Sequence, residues 1–194
     1  MKEIEAKLKI SDLAIIEKAN LKKIKEADVF DVYFDNEFLK LKAQDKVLRL
    51  RKEGDKAYIA YKGAREKHKD LIVREEIEPT ISSFEDGQLI LKNLGFYEIV
   101  RVEKKRSFFS IEKFPSLSIT IDDYPFIGLF LEIEGEEQEV YGFLNDFGFD
   151  LENTIQKNCM EIFLDYCKEN KLNFENPEKH LTFEDESNLK LVKI

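Results

Sequence analysis

The chain has 194 residues, of which 43% are hydrophobic and 37% charged, which is enough apolar material for one globular domain with its own core. Its formal net charge of -9 argues against a general nucleic-acid binder, whose affinity comes from a basic surface, so an anionic partner would require a local basic cluster. The N-terminus has no signal-peptide pattern and the longest apolar run, FIGLFLEI, is too short to cross a bilayer, which predicts a cytoplasmic protein without a membrane partner.

The first ten residues, MKEIEAKLKI, alternate as a β-strand with one charged face and one apolar face. The charged positions are Glu3, Glu5, Lys7 and Lys9. The apolar positions are Ile4, Ala6, Leu8 and Ile10. Such a strand packs its apolar face on a core, and similar pairs of charges recur on later stretches.

A helix capped by Ser11 is predicted next, because apolar residues follow at helical spacing. These residues are Leu13, Ile16, Leu21 and Ile24. Alternation and turn signals then predict a series of further strands. They occupy residues 31–35, 38–43, 47–51, 57–63, 71–78, 100–109, 116–122 and 129–135.

Three more helices are predicted from caps and apolar spacing. A capping box at Ser82–Glu85 opens the first, which carries Ile90, Leu91 and Leu94 and ends at Gly95. The next places its apolar stripe at Val140, Phe143, Leu144 and Phe147. The last lies near residues 154–169, with Ile155, Cys159, Ile162, Phe163 and Tyr166 aligned. Residues 171–194 read as a tail whose Leu181, Phe183, Leu189 and Val192 suggest docking on the rest of the domain.

Applied to every strand, the alternation rule collects equal numbers of acids and bases on the polar faces. The seven acids are Glu3, Glu5, Glu76, Glu78, Asp122, Glu132 and Glu134. The seven bases are Lys7, Arg49, Arg51, Lys62, Arg74, Lys104 and Arg106. Two architectures fit: an antiparallel sheet whose charged face meets water, or a closed eight-stranded barrel with a charged lumen and helices outside.

The motifs in order resemble the CYTH superfamily, the triphosphate tunnel metalloenzymes, and most of all its class IV adenylyl cyclase-like branch. They are E-x-E-x-K at Glu3–Lys7, DVYF, LRLR, YKG, REEIE, K-x-R at Lys104 and Arg106, and GLFLEIE. The resemblance covers about residues 1–165 and implies the lumen architecture, an α+β fold with a closed antiparallel barrel. It also implies a CYTH domain over 1–170, followed by the tail 171–194. Many members carry Ser-Tyr on the last helix where this chain has Cys159-Met160.

The resemblance also implies a site in which the lumen charges divide the work. The triphosphate would be held by Arg49, Arg51, Lys62, Arg74, Lys104 and Arg106. Mg²⁺ or Mn²⁺ would be held by Glu3, Glu5, Glu76, Glu78, Asp122, Glu132 and Glu134, since these cations prefer carboxylates together with substrate phosphates. Lys7, on the face of Glu3 and Glu5, would contact the scissile phosphate and complete the catalytic group.

Three functions remain open at this point. In a cyclase, the ribose 3′-hydroxyl of ATP would attack the α-phosphate and yield cyclic AMP and pyrophosphate. In a triphosphatase, water would attack the terminal phosphate of a nucleotide, thiamine triphosphate or inorganic triphosphate. A non-catalytic polyphosphate-binding module is disfavoured because the acidic set is complete. The sequence leaves open whether the protein is a monomer or a homodimer.

Overall fold

The computed structural model describes residues 2–68 and 70–192, with residues 190–192 described by their backbone only. The docking predicted for the Val192 side chain, and the last two residues of the predicted tail, therefore lie outside the described part. None of the helices in the described part is long and apolar enough to span a membrane.

The described residues form nine strands and six α-helices. The strands are β1 (Lys2–Lys9), β2 (Lys22–Asp35), β3 (Val47–Glu53), β4 (Lys56–Lys62), β5 (Ile72–Ile77), β6 (Thr80–Ile81), β7 (Tyr97–Ser110), β8 (Ser118–Tyr124) and β9 (Gly128–Glu134). The helices are α1 (Ala14–Lys18), α2 (Lys40–Ala43), α3 (Phe84–Asn93), α4 (Glu137–Phe147), α5 (Cys159–Glu169) and α6 (Phe183–Val192).

Eight of the strands close into an antiparallel barrel, as predicted. Their order around the wall is β3-β2-β7-β8-β9-β1-β5-β4, and β4 pairs back to β3. The short strand β6 pairs with β4 outside this ring. Closure leaves the barrel without a free edge. The junction of β4 and β5 is the shortest, with register pairs only at Tyr61–Ile77 and Lys62–Glu76.

Helices cover the apolar outer faces of the barrel. The largest cluster joins β1, β8 and β9 to α4, whose Val140, Phe143 and Leu144 are fully buried, as their helical spacing predicts. On the opposite wall, α3 packs through Phe84 and Leu91. Ile90 and Leu94 were also predicted on the packed stripe, but they are 58% and 68% exposed, because one narrow contact buries only part of this helix.

A third cluster, here called the end cluster, covers one end of the barrel. Its buried members are Val102, Tyr124, Ile127, Phe130, Phe163, Cys167 and Leu181. Phe163 comes from α5, and Leu181 pairs with Val102 through the backbone. The segment leading into α6 is held further by the N–H of Phe183, which donates to the Glu103 carboxylate at 3.0 Å. Helix α5 and the C-terminal segment thus lie against the same end of the barrel.

The strand predicted at residues 38–43 is wrong, since this stretch forms the helical turn α2. Side chains close in sequence accept hydrogen bonds from its backbone N–H groups. Asn36 accepts hydrogen bonds from the N–H groups of Phe38 and Lys40, and buried Asp35 accepts from those of Leu41 and Lys42. An Asn or Asp that satisfies nearby N–H groups favours a turn over a strand, and this overrides the alternating Leu-Lys pattern.

The first helix is much shorter than the prediction from Leu13 to Ile24. It ends after Lys18 because Asn20 adopts a left-handed conformation (φ 49°) and the N–H of Leu21 bonds to the carbonyl of Ile16. Leu21 is buried, but Ile24 is 64% exposed and lies on β2. Ser11 does not cap the helix, since its hydroxyl donates to Asp12, whose carboxylate accepts from the N–H of Ala14.

Candidate active site

A cavity of about 1030 Å³ is lined by side chains from all eight barrel strands and by residues of the α5 region. It brings together thirteen of the fourteen charged residues predicted for the site. They are Glu3, Glu5, Lys7, Arg49, Arg51, Lys62, Arg74, Glu76, Glu78, Lys104, Arg106, Glu132 and Glu134. The fourteenth, Asp122, lies behind this lining and is fully buried.

Asp122 is enclosed by two bases from the neighbouring strand β7. One carboxylate oxygen accepts from Lys104 at 2.6 Å, and Arg106 contacts both oxygens at 2.6 Å. The hydroxyl of Tyr124 lies 3.3 Å from the same carboxylate. Burial, followed by the charge of Arg106, lowers the pKa of Lys104. Asp122 therefore holds both bases in place from behind the cavity wall, with its two oxygens already in use.

Lys7 lies between two carboxylates on adjacent strands. Its Nζ is 3.3 Å from Glu5 and 3.3 Å from Glu132. Burial alone would lower the pKa of Lys7, but these two charges outweigh it and hold the pKa above its usual value. Burial would likewise raise the pKa of Glu132, yet Lys7 and Arg106 keep it well below the usual range. Lys7 is thus an ammonium group, which can bind an anion but cannot accept a proton.

A second ion-pair group is formed by Glu3, Lys62 and Glu76. The Lys62 ammonium lies 3.1 Å from Glu3 and 2.7 Å from Glu76. Burial, together with the shared hydrogen bond to Glu76, raises the pKa of Glu3 to about 8. Against the same burial, the bond from Glu3 and the charge of Lys62 lower the pKa of Glu76 to about 2. The two carboxylates therefore share one proton near neutral pH.

The arginines of β3 are held by an acid that the sequence analysis did not assign to the site. Asp31 of β2 accepts two parallel hydrogen bonds of 2.8 Å from Arg51 and lies 3.7 Å from Arg49. Arg49 also pairs with Glu78, which follows the end of β5. Burial raises the pKa of Asp31 less than the two arginines lower it. Asp31 was detectable in principle, because it alternates with Val32 on the predicted strand 31–35.

Two of the predicted residues differ from the rest in forming no direct ion pair. Among the described residues, no ion pair involves Arg74 or Glu134. Arg74 is nonetheless buried, whereas Glu134 is exposed at the cavity lining. These two side chains are free to meet a ligand without first breaking a contact inside the protein.

The acids of the cavity meet the coordination requirements of a metal ion only in part. Within residues 2–68 and 70–192, no group of three or more His, Cys, Asp or Glu side chains is arranged as a metal site. However, Glu5 faces Glu134 in register, and the buried Oε1 of Glu5 accepts no hydrogen bond among the described groups, with the Lys7 ammonium 3.3 Å away. Mg²⁺ commonly binds one or two carboxylates and completes its shell with substrate phosphates and water. The donor chemistry at Glu5 and Glu134 fits that mode.

Comparison with known proteins gives a consistent assignment. The family model for the CYTH domain matches residues 1–147. A curated protein of Methanocaldococcus jannaschii, named "putative adenylate cyclase", is 31% identical over 176 residues, which cover 84% of this chain and 98% of the relative.

Two solved structures show the same fold. A protein of Pyrococcus horikoshii superposes with a TM-score of 0.70 at 24% identity, covering 84% of this chain and 98% of that one. A Hippeastrum protein, described as a "putative adenylyl cyclase" that "reveals a dominant triphosphatase activity", superposes with a TM-score of 0.64 at 17% identity, covering 84% and 95% of the two chains.

Proposed function

Since the chain belongs to the CYTH family, we propose that it is a divalent-metal-dependent enzyme that binds a triphosphate in the barrel cavity and converts ATP into cyclic AMP and pyrophosphate. The observation that carries this proposal is the convergence of all seven predicted bases and six of the seven predicted carboxylates on one cavity. The relative from M. jannaschii, whose name refers to an adenylate cyclase, supports the choice of reaction.

The bases would hold the phosphate chain. Arg binds phosphate oxygens through a planar fork and Lys as a point charge. Arg74 is the first contact that we propose, because it forms no direct ion pair with a described acid, although its charge helps to lower the pKa of Asp45. Arg49 and Lys62 each bridge two acids, so a bound phosphate would replace part of those pairs. Arg51, Lys104 and Arg106 stay oriented by Asp31 and Asp122 while they bind.

Lys7 would contact the phosphate at which the bond breaks. In the cyclase reaction the 3′-oxygen forms a bond to the α-phosphorus, the bond from that phosphorus to the pyrophosphate oxygen breaks, and the hydroxyl proton leaves to solvent. Negative charge builds up on the leaving oxygens, and a fixed ammonium group stabilises such charge. The raised pKa of Lys7 keeps it protonated for this role.

Glu5 and Glu134, with Glu3 beside them, are the residues that we propose for Mg²⁺ or Mn²⁺. When bound, such an ion supplies neutralisation of phosphate charge and a lower pKa for the attacking hydroxyl. Glu3 would have to give up the proton that it shares with Glu76. Glu132 stays with Lys7 and Arg106, and its lowered pKa keeps it charged.

Hydrolysis is the second candidate, because the fold accommodates it: the Hippeastrum structure is described with triphosphatase activity. The same bases would then hold the substrate with the terminal phosphate, rather than the α-phosphate, beside Lys7. The two reactions differ only in where the phosphate chain sits and in what attacks it.

One assay separates the candidates. Purified protein is given Mg²⁺ or Mn²⁺ with ATP, thiamine triphosphate or inorganic triphosphate, and the products are resolved as cyclic nucleotide, pyrophosphate and orthophosphate. Cyclic AMP and pyrophosphate in equal amounts are expected from ATP, and orthophosphate would instead identify a triphosphatase. Excess chelator should abolish turnover, and full activity in chelator would contradict metal dependence.

A further inference from the structure

The cavity has an uncharged wall beside its charged lining, and Arg65 and Glu161 line it close to Gln156. Where it meets the end cluster, its lining changes to uncharged side chains, among them Tyr33, Val100 and Met160, which also pack against that cluster. Tyr33 lies opposite Arg49 on β3 and opposite Val100 on β7. The uncharged wall therefore begins directly beside the bases.

Gln156 projects into the same cavity from the segment before α5. Its backbone is fixed on both sides: the N–H of Ile155 donates to the carbonyl of Lys7 at 2.8 Å, and Arg65 donates to the carbonyl of Gln156 at 2.7 Å. Arg65 is itself anchored by Asp45, which accepts from Nε and from Nη2 of the guanidinium. The position of Gln156 is thus set by contacts that do not use its side chain.

The amide of Gln156 has an unsatisfied donor in the ligand-free protein. Its Nε2 is buried and has no hydrogen-bond partner among the described groups. Buried amide donors are nearly always satisfied, so an unsatisfied one on a residue that lines a cavity calls for a ligand or water there. A carboxamide both donates and accepts, which suits the mixed edge of a nitrogen heterocycle rather than a phosphate.

The size of the cavity points the same way. At about 1030 Å³ it is at the upper end of the range of about 300–1,000 Å³ that holds drug-sized ligands. Inorganic triphosphate would contact the bases and would make no contact with the uncharged wall. The residues of this wall and Gln156 include positions beyond 147, outside the part matched by the CYTH family model.

Resting on the proposed function, we infer that Gln156 is a specificity-determining residue that hydrogen-bonds the ring of an organic triphosphate, with the ring lying against Tyr33 and Met160. The substrate class is a nucleoside triphosphate, of which ATP is the test case, and inorganic triphosphate is the weaker ligand. Gln156 acts on binding of the organic part, and the bases hold the phosphates of either ligand.

The test compares two ligands and three proteins by calorimetry in Mg²⁺. The ligands are inorganic triphosphate and an ATP analogue with a methylene bridge between the α- and β-phosphates. The proteins are wild type, Gln156→Leu and Gln138→Leu, the last a control on the exposed first turn of α4. Gln156→Leu should weaken the analogue about tenfold or more, as expected when a buried polar contact is lost, and should change triphosphate affinity less than about twofold. Gln138→Leu should change neither.

The melting temperature of each variant without ligand checks folding, and it should not fall in Gln156→Leu, because the lost amide has no partner to lose. If wild type binds triphosphate as tightly as the analogue and Gln156→Leu alters neither affinity, the inference is overturned while the proposed function stands. Equal losses for both ligands would also overturn it, since Gln156 would then act on phosphates. Failure of wild type to bind either ligand would overturn the proposed function, and this inference with it.

Discussion

Two groups of charges in the cavity wall are built differently, although the same residue types form both. Around Asp122, one fully buried carboxylate accepts short hydrogen bonds from both Lys104 and Arg106. Around Lys62, two carboxylates compete for one ammonium and split their pKa values to about 8 and about 2. The Asp122 group holds its two bases in fixed positions, whereas the ion pairs of the Lys62 group can be exchanged for contacts with a ligand.

The difference shows what each group can contribute to ligand binding. Breaking a buried ion pair costs much free energy, because a buried charge that loses its partner is strongly unfavourable. It therefore orients its bases before a ligand arrives. The Lys62 group has an excess of acid, so a cation can replace the shared proton and a phosphate can take over the ammonium. Three experiments test this difference between the two groups.

The largest effect is expected from Asp122→Asn, which leaves Lys104 and Arg106 without the charge that they surround. The free energy of unfolding should fall by about 3 kcal/mol or more, which corresponds to a melting temperature lower by about 6 °C or more. The measurement is thermal unfolding of the ligand-free protein. Asp150→Asn, an exposed aspartate with no side-chain cap bond, serves as the control. Equal melting temperatures for the two variants would mean that Asp122 is not a support.

The next effect concerns turnover rather than stability. Glu5→Gln or Glu134→Gln should reduce turnover about 100-fold or more, as loss of a metal-site contact does, with a melting temperature close to that of wild type. Turnover of ATP in Mg²⁺ or Mn²⁺ is the readout. Glu37→Gln, on an exposed turn, is the matched control. Wild-type turnover in both cavity variants would remove these two acids from the proposed metal site.

The smallest effect is a pH dependence of stability in the Lys62 group. The pKa of Glu3 is about 8 in the folded protein and 4.5 as its ordinary value, so the folded state binds more protons between these limits. The stability that Glu3 contributes is therefore fully present below pH 4.5 and is lost as the pH rises towards 8, whereas the contribution of Glu76, with its pKa lowered to about 2, is lost only below pH 4.5. The melting temperature in chelator should fall by several degrees over that window.

Glu3→Gln provides the control for this titration, because it keeps the shape of the side chain and cannot lose a proton. Its melting temperature should be less sensitive to pH than that of wild type between pH 4.5 and 8. Parallel curves for the two proteins would show that the shared proton is absent, and the contrast between the two groups would then disappear.

Much of the barrel could be predicted from local pattern. Alternation along β1, β3, β7 and β9 indicated which side chains share a face, and helical spacing correctly indicated the buried stripe of α4. The errors lie where side chains bind the nearby backbone or where one residue takes a left-handed conformation. Asp35 and Asn36 turn a strand-like stretch into α2, and Asn20 stops α1 early. Such contacts compete with periodicity, and a pattern of apolar residues does not record them.

Sequence alone determined which charges lie on one face of each strand, since alternation depends only on the extended backbone. It also carried the resemblance that implied closure of the barrel. The tertiary structure decided the partners, because pairing depends on strand register. It joined Arg51 to Asp31, twenty residues away, and made Asp122 a support behind the wall. It also left the amide of Gln156 buried without a partner, a property that exists only once Lys7 and Arg65 have fixed that segment over the cavity.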